Sequence, residues 1–287
     1  MLNYNKKIEE EIVYGEYHTH TIKRHLYSGY TKYHYAEVVE FESSGLALLL
    51  DKRIQSCQID EFVYNEAAVH PALLMHPHPN RVLCLAGGMG GIVREVLKHE
   101  NVKEVVVMDE DPIVSEIIEK FLPHMKSSVR TNQKLNIYFG NCLEFLSSCE
   151  PFDVIIFDST DPTEDSPYAS LFTQESYHRI YDALNADGIL SIQLGSVHPA
   201  TINKFLEKKI NIAEKFPFVN PYHVEVHSLG TSWGFALASK REYELNINIL
   251  ENVRYNKLKS SLHFFDDISY KRMWLWPKHL SLNINKI

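Results

Sequence analysis

Between Arg81 and Phe157 the chain alternates short apolar runs with helical patterns, and no other feature restricts its fold as much. Runs at 81–86, 104–108, 135–138 and 153–157 predict strands, and the patterns at 91–99, 112–122 and 142–148 predict helices. Strands separated in this way return to one sheet as parallel neighbours through right-handed crossovers. The expected class is α/β, with a Rossmann-like, doubly wound sheet that carries its chemistry at the carboxyl ends of the strands.

The flanking segments read differently. Residues from about 12 to 64 form a β segment, with strands at Val38–Phe41 and Leu46–Leu50 joined across Glu42-Ser43-Ser44-Gly45. A helix pattern follows from Glu61 to Leu74. After the sheet region come a helix at 174–184, a strand at Gly188–Gln193, a helix at 199–209 and two runs at 222–227 and 233–239 that suit an antiparallel edge hairpin. The tail ends in aromatic residues, among them Trp274 and Trp276, and is expected to pack on the sheet. Over 287 residues this gives a small N-terminal β domain plus linking helix at 1–75, and a catalytic domain with a C-terminal helical tail at 76–287.

Two strand ends carry the candidate chemistry. The strand Phe152–Phe157 hands Asp158 and Asp161 to one loop. A carboxylate in such a partly dry crevice can take a proton from a nucleophile, although Asp and Pro are also ordinary turn residues. The strand Arg81–Ala86 runs into Gly87-Gly88-Met89-Gly90-Gly91, whose glycines permit a sharp turn and close approach to a ligand. Asp109, followed by Glu110 and Asp111, ends a third strand 22 residues after Gly87, the spacing at which an acid meets the two hydroxyls of a ribose. Together they favour a nucleoside-containing cofactor.

Charge and composition exclude several classes. A formal net charge of −8 disfavours broad contact with nucleic-acid phosphates. No apolar run approaches the roughly 18 residues of a membrane span. The start lacks the apolar stretch of a signal peptide, and Cys57, Cys84, Cys142 and Cys149 lack C-x-x-C spacing, so free thiols in the cytoplasm are expected. The 15 histidines include His18 and His20, which share a strand face with Glu16, and His76 and His78, which have no such acid nearby in sequence; a solvated strand face accounts for the first group, and no metal is expected. The Tyr- and His-rich stretch from Tyr14 to Tyr35 reads as an exposed hairpin face that can also stack on a ligand. On the helices, Glu66 and His70 are spaced to pair, Asp60 and Glu61 to cap, and Arg94 and Glu95 to pair or solvate.

Several of these motifs, with Leu49-Leu50-Asp51, Ile54-Gln55-Ser56, Asp60-Glu61-Phe62-Val63-Tyr64, His76-Pro77-His78-Pro79 and Trp276-Pro277, stand in one order along nearly the whole chain. In that order they resemble the spermidine synthase family of aminopropyltransferases. The resemblance implies a class I methyltransferase-type fold after a small β domain, and a homodimer or homotetramer. It also implies S-adenosylmethionine or its decarboxylated form as co-substrate, with no metal. By position, Asp158 would deprotonate the attacking amine, with Asp161 and Tyr64 assisting. The donor would lie on Gln55, Gly87, Gly88, Met89, Gly90, Asp109, Glu110, Asn141 and Asp158, and the acceptor against Tyr64, Asp161, Gln193 and His227.

Departures from the family pattern point to altered substrates. The family's glycine loop has an acid where this chain has Met89. That acid meets the amino end of the decarboxylated donor and would repel the carboxylate of S-adenosylmethionine by about 4 kcal/mol at ~4 Å and an effective dielectric of ~20. Asn141 replaces the acid at the adenine amino group, Gly195 replaces a glutamate that holds the far amine of a diamine, and Val226-His227-Ser228-Leu229-Gly230 replaces a loop with an aromatic clamp. The loop Thr163–Ala169 is longer and more acidic than the family's. The favoured expectation is transfer of an aminopropyl or 3-amino-3-carboxypropyl group to a small-molecule, peptide or nucleotide acceptor other than a standard diamine. The alternatives are an S-adenosylmethionine-dependent methyltransferase and a non-catalytic nucleoside-binding module.

Overall fold

The computed structural model describes residues 6–87, 90–125, 132–160 and 167–284. Gly88, Met89 and Asp161, together with 163–166 of the longer loop, lie outside the described residues.

The chain opens with five antiparallel strands in sequential order: β1 (Lys7–Val13), β2 (Glu16–Tyr30), β3 (Tyr35–Phe41), β4 (Gly45–Leu50) and β5 (Arg53–Cys57). β1 precedes the β segment expected from the sequence, because Glu9 to Glu11 mask its alternation. The sheet curls until its edges meet, where the Ile54 amide donates to Glu10 Oε1 at 2.9 Å. Val39, Phe41, Ala47, Leu49, Ile54 and Cys57 fill the concave side of this half-barrel.

Next comes α1 (Glu61–Met75), buried along most of its length because it carries Ala67, Ala68, Val69, Ala72, Leu73 and Leu74. These small and branched side chains let it lie close on the second sheet, in one core with Val82, Cys84, Val154 and Ile156. That sheet is built by β6 (Arg81–Leu85), α2 (Gly91–Leu97), β7 (Glu104–Asp109), α3 (Pro112–Phe121), β8 (Leu135–Phe139), α4 (Cys142–Leu146) and β9 (Phe152–Phe157). The chain continues through α5 (Gln174–Asp182), β10 (Leu184–Ser196), α6 (Ile202–Ala213), β11 (Phe218–Val226) and β12 (Thr231–Ser239). The spatial order is β11-β12-β10-β9-β6-β7-β8, with β12 antiparallel to both its neighbours and the other pairs parallel. The expected parallel sheet and edge hairpin are both present. β10 begins at Leu184, ahead of the expected Gly188, because the strand crosses a register shift between Leu184 and Ile189.

The tail forms α7 (Val253–Leu258), α8 (Asp267–Met273) and α9 (Lys278–Ile284). The expected packing on the sheet holds: the Trp276 indole donates to the Pro221 carbonyl at 3.2 Å, and Trp274 meets Tyr222 at 4.8 Å between ring centroids. The expected pairing of Glu66 with His70 does not form. Glu66 instead accepts from the amides of His263, Phe264 and Phe265 at 2.8, 2.9 and 2.7 Å, anchoring the tail, while His70 faces His99 and Glu95. Fully buried Glu95 is raised by desolvation, but its bonds to His70 and Lys98 outweigh this and hold its pKa at about 2.

Candidate active site

β6 leads through α2 to β7 on one side, whereas β9 returns to its other side, so the carboxyl ends of β6 and β9 flank the point where strand order reverses. Crevices of doubly wound sheets open at that point. Leu85 pairs with Phe157, and the Asp158 amide donates to the Leu85 carbonyl at 3.1 Å, which ties the two tips together. β6 ends in Ala86 at φ 52° and Gly87 at φ 71°. A Cβ on Gly87 would stand 2.0 Å from the Asp158 carbonyl oxygen, so only glycine lets the two loops close to this distance. Gly90, at φ 107°, then starts α2.

Asp158 and Tyr64 are 94 residues apart and meet in space: the Tyr64 hydroxyl donates to Asp158 Oδ1 at 2.5 Å. Tyr64 projects from α1, its ring held edge-on against Phe235 with centroids 5.0 Å apart. Burial pushes the Asp158 carboxyl up to about 7; the Tyr64 bond works against this and the charge of Asp109 adds to it. Asp109 Oδ2 accepts from the Gly87 amide at 2.7 Å and Oδ1 from the Asp111 amide at 2.9 Å. Burial also raises Asp109, and the amides of Asp111 and Gly87 partly offset the rise.

The remaining residues singled out in the sequence divide into two groups. Glu110 Oε1 accepts from the Cys142 amide at 3.2 Å, which joins the tip of β7 to α4. Asn141 caps α4, its Oδ1 accepting from the Glu144 amide at 3.0 Å and keeping a second lone pair for a ligand. Gln193 lies next to the Asp158 loop, its amide donating to the Ser159 carbonyl at 2.9 Å. Gln55 and His227 are not drawn into this cluster by hydrogen bonds: the Gln55 amide donates to the Arg53 carbonyl at 3.2 Å, and His227 is exposed at the start of the 227–229 turn.

Some of the supporting residues depend on tertiary contacts. Arg94 forks onto Glu61 with both bonds at 2.9 Å and also donates to the His124 carbonyl at 2.8 Å. Asn65 donates to Glu61 Oε2 at 2.6 Å, and its side chain would stand 2.1 Å from a Cβ on Gly91. This cluster fixes the rotation of α1 and with it the direction of Tyr64. Glu61 therefore pairs with Arg94 across two helices. Asp60 stands at the N-cap without a side-chain cap bond, and its Oδ2 accepts from the Ser228 amide at 2.8 Å, holding the 227–229 turn. In sequence, the only signals were an Asn four residues after Glu61 and a glycine opening α2.

The histidine groups also resolve. His20 stacks on Phe41 at 4.8 Å with its Nε2 3.9 Å from Glu10, while Glu16 faces His198 at 3.8 Å, so Glu16 does not join the imidazoles. The expectation that His76 lacks an acid is corrected: His76, Asp153 and Asp187 offer ligand atoms within 4.8 Å of one another at the amino ends of the strands. His76 Nδ1 accepts from the His78 amide at 3.2 Å, so its hydrogen sits on Nε2, 3.6 Å from Asp187 Oδ1. Asp153 is held by the amides of Asn80 and Arg81 and by Asn185. His76 Nδ1 and Asp153 are thus held by backbone amides, and Nε2, which has no hydrogen-bond partner among the described residues, would have to lose its hydrogen to ligate an ion.

The family model for the spermine/spermidine synthase domain matches residues 61–248, covering the whole of this strand-tip cluster. The chain belongs to the spermine/spermidine synthase family. The polyamine aminopropyltransferase of Pyrococcus abyssi is 33% identical over 267 residues, covering 90% of this chain and 92% of that protein. Thermospermine synthase ACAULIS5 of Arabidopsis thaliana is 30% identical over 264 residues, covering 91% and 78%. Among solved structures, a spermidine synthase in complex with the transition-state analogue AdoDATO superposes with a TM-score of 0.89 at 26% identity, covering 99% of this chain and 97% of that one. The spermidine synthase of Thermotoga maritima superposes with a TM-score of 0.87 at 27% identity, covering 99% and 96%. The half-barrel, the mixed central sheet and the methyltransferase-like topology are thus those of the family, and this chain is an aminopropyltransferase-family enzyme. No helix among the described residues is long and apolar enough to cross a membrane.

Proposed function

We propose that the enzyme moves a three-carbon chain, aminopropyl or 3-amino-3-carboxypropyl, from a sulfonium nucleoside to an amine that is not a standard diamine. The observation that carries this reading is the Asp158 carboxyl, raised to about 7 and bonded to Tyr64 at 2.5 Å beside the ribose-type acid Asp109. An amine attacks only with its lone pair free, so a base with a pKa near neutrality is suited to receive its proton. The amine nitrogen bonds to the chain carbon, the carbon–sulfur bond breaks with its electron pair going to sulfur, and the released proton passes to Asp158. Tyr64 orients the carboxylate, and Asp161 helps to position the amine. Gly87, Gly88 and Gly90 admit the nucleoside to the backbone, Asp109 and Glu110 receive its ribose, and Asn141 meets its base.

Substrate choice follows from what the chain lacks. Met89 carries no charge to exclude a donor carboxylate, which widens the choice towards S-adenosylmethionine. Gly195 supplies no carboxylate for a distal ammonium, and His227 stands in the loop where the family keeps its aromatic clamp. Beyond Asp158 and Asp161 the acceptor then meets Gln193 and Tyr64, which offer polar but uncharged groups. A small cytoplasmic metabolite with one reactive amine fits this lining, acted on by a homodimer or homotetramer.

Calorimetry with S-adenosylmethionine and its decarboxylated form, followed by product analysis with a panel of amines, tests the proposal. Methylthioadenosine as product supports transfer of the three-carbon chain, whereas S-adenosylhomocysteine would replace it with methyl transfer. Binding without turnover across the panel would favour a nucleoside-binding module.

A further inference from the structure

His34, in the turn before β3, has a side chain only 9% exposed, and its Nδ1 lies 2.6 Å from Asp51 Oδ2. Asp51 Oδ1 also accepts from the Tyr35 amide at 2.9 Å, so the carboxylate is anchored. A carboxylate so placed keeps the hydrogen on Nδ1 and leaves Nε2 as an acceptor. That Nε2 is buried and has no hydrogen-bond partner among the described residues. A buried acceptor left in this way is penalised, and a ligand O–H or N–H would remove the penalty.

The surroundings show where such a ligand would lie. The Tyr168 ring lies flat on the imidazole, with centroids 5.6 Å apart and planes 4° from parallel, and Tyr33 meets the same phenol ring edge-on at 5.5 Å. Tyr168 is 6% exposed, and its hydroxyl is raised by burial and by the charges of Asp109, Asp111 and Glu110. Tyr168 also lies in one apolar core with Ala86, Met108 and Cys142, the chain neighbours of Gly87, Asp109 and Asn141, and Tyr33 packs against that core, which brings the turn holding His34 up to the strand tips.

We propose that His34 is a further donor-binding residue whose Nε2 accepts from one hydroxyl of the ribose held at Asp109, with Asp51 and Tyr168 fixing the ring. This rests on the nucleoside site proposed above. A vicinal diol carries two O–H donors, one for the carboxylate and one for the imidazole, and His34 thereby selects a ribonucleoside over a deoxynucleoside.

Titration calorimetry with 5′-methylthioadenosine and its 2′-deoxy and 3′-deoxy counterparts tests this. The unmodified protein should bind the parent about tenfold more tightly than the deoxy compound that lacks the hydroxyl facing His34. In His34→Ala that preference should fall to within about twofold while the other hydroxyl keeps its effect. Asp51→Asn, which leaves the ring in place but frees its tautomer, should weaken the same preference and covers the case in which His34→Ala fails to fold. Equal weakening of all three ligands, with both preferences intact in either variant, would make His34 structural and overturn the inference. Failure of the unmodified protein to bind any of the three would overturn the nucleoside reading itself.

Discussion

The carbonyl oxygen of Asp158 lies 2.0 Å from the place where a Cβ on Gly87 would stand, so the base candidate and the glycine turn are set by a single close approach. Gly87→Ala must therefore part the two loops, and it must also hold alanine at φ 71°, which costs about 1–2 kcal/mol. Turnover should fall at least a hundredfold, with a clear drop in thermal midpoint. Turnover within about threefold of the unmodified enzyme would show that the approach does not govern catalysis.

The raised carboxyl of Asp158 sets a pH profile. With its value at about 7, kcat/KM should climb as pH rises from 5, pass half height near 7 and level off above about 8, as the carboxyl loses its proton. Tyr64→Phe removes a hydrogen bond to the ionised form and should move that limb to higher pH. Asp158→Asn should abolish turnover while donor binding persists in calorimetry; a profile flat from pH 5 to 9 would end the candidacy of Asp158.

The same group predicts a stability trend of opposite sign. Its folded value, about 7, lies above its ordinary 3.8, so the folded chain binds this proton more tightly than the unfolded one. The contribution is fully present below pH 3.8 and is lost as pH rises to about 7. The loss amounts to at most about 4 kcal/mol, and less where water reaches the carboxyl. Asp158→Asn should gain denaturant stability relative to the unmodified chain at pH 8, and an equal or lower midpoint there would contradict the burial of that charge.

Ala86 adopts φ 52° with its side chain wholly buried. Ala86→Gly relieves about 1–2 kcal/mol of backbone strain but loses a buried methyl of about 0.8 kcal/mol and adds unfolded-state freedom of about 0.4–1 kcal/mol. The net change should stay within about 1 kcal/mol. Ala86→Val places a β-branched side chain in the left-handed region and should cost more than 2 kcal/mol. Urea midpoints of the two variants decide the point, and equal midpoints would deny the strain.

Glu66 anchors the tail through three backbone amides. Glu66→Ala should cost about 3 kcal/mol, since bonds to a charged acceptor are each worth about 1.5–3 kcal/mol and part of that is recovered by water. Hydrogen exchange over 263–276 should quicken before the central strands do. Unchanged exchange in that segment would mean the aromatic contacts of Trp274 and Trp276 hold the tail alone.

The strands, the crossover helices and the acids at their tips were legible in the sequence because each rests on local physics: apolar runs, helical periodicity and glycines that must turn. Asp158, Asp109 and Gly87 could be chosen for the same reason, each ending or following a strand. Only the tertiary structure decided which side chains meet. Tyr64 reaches Asp158 over 94 residues, Glu66 turns from His70 to the tail, Glu61 leaves its cap for Arg94, and His34 comes to rest on Tyr168. Such pairings depend on how elements far apart in the chain rotate and pack, and the spacing of residues along one element carries no record of that.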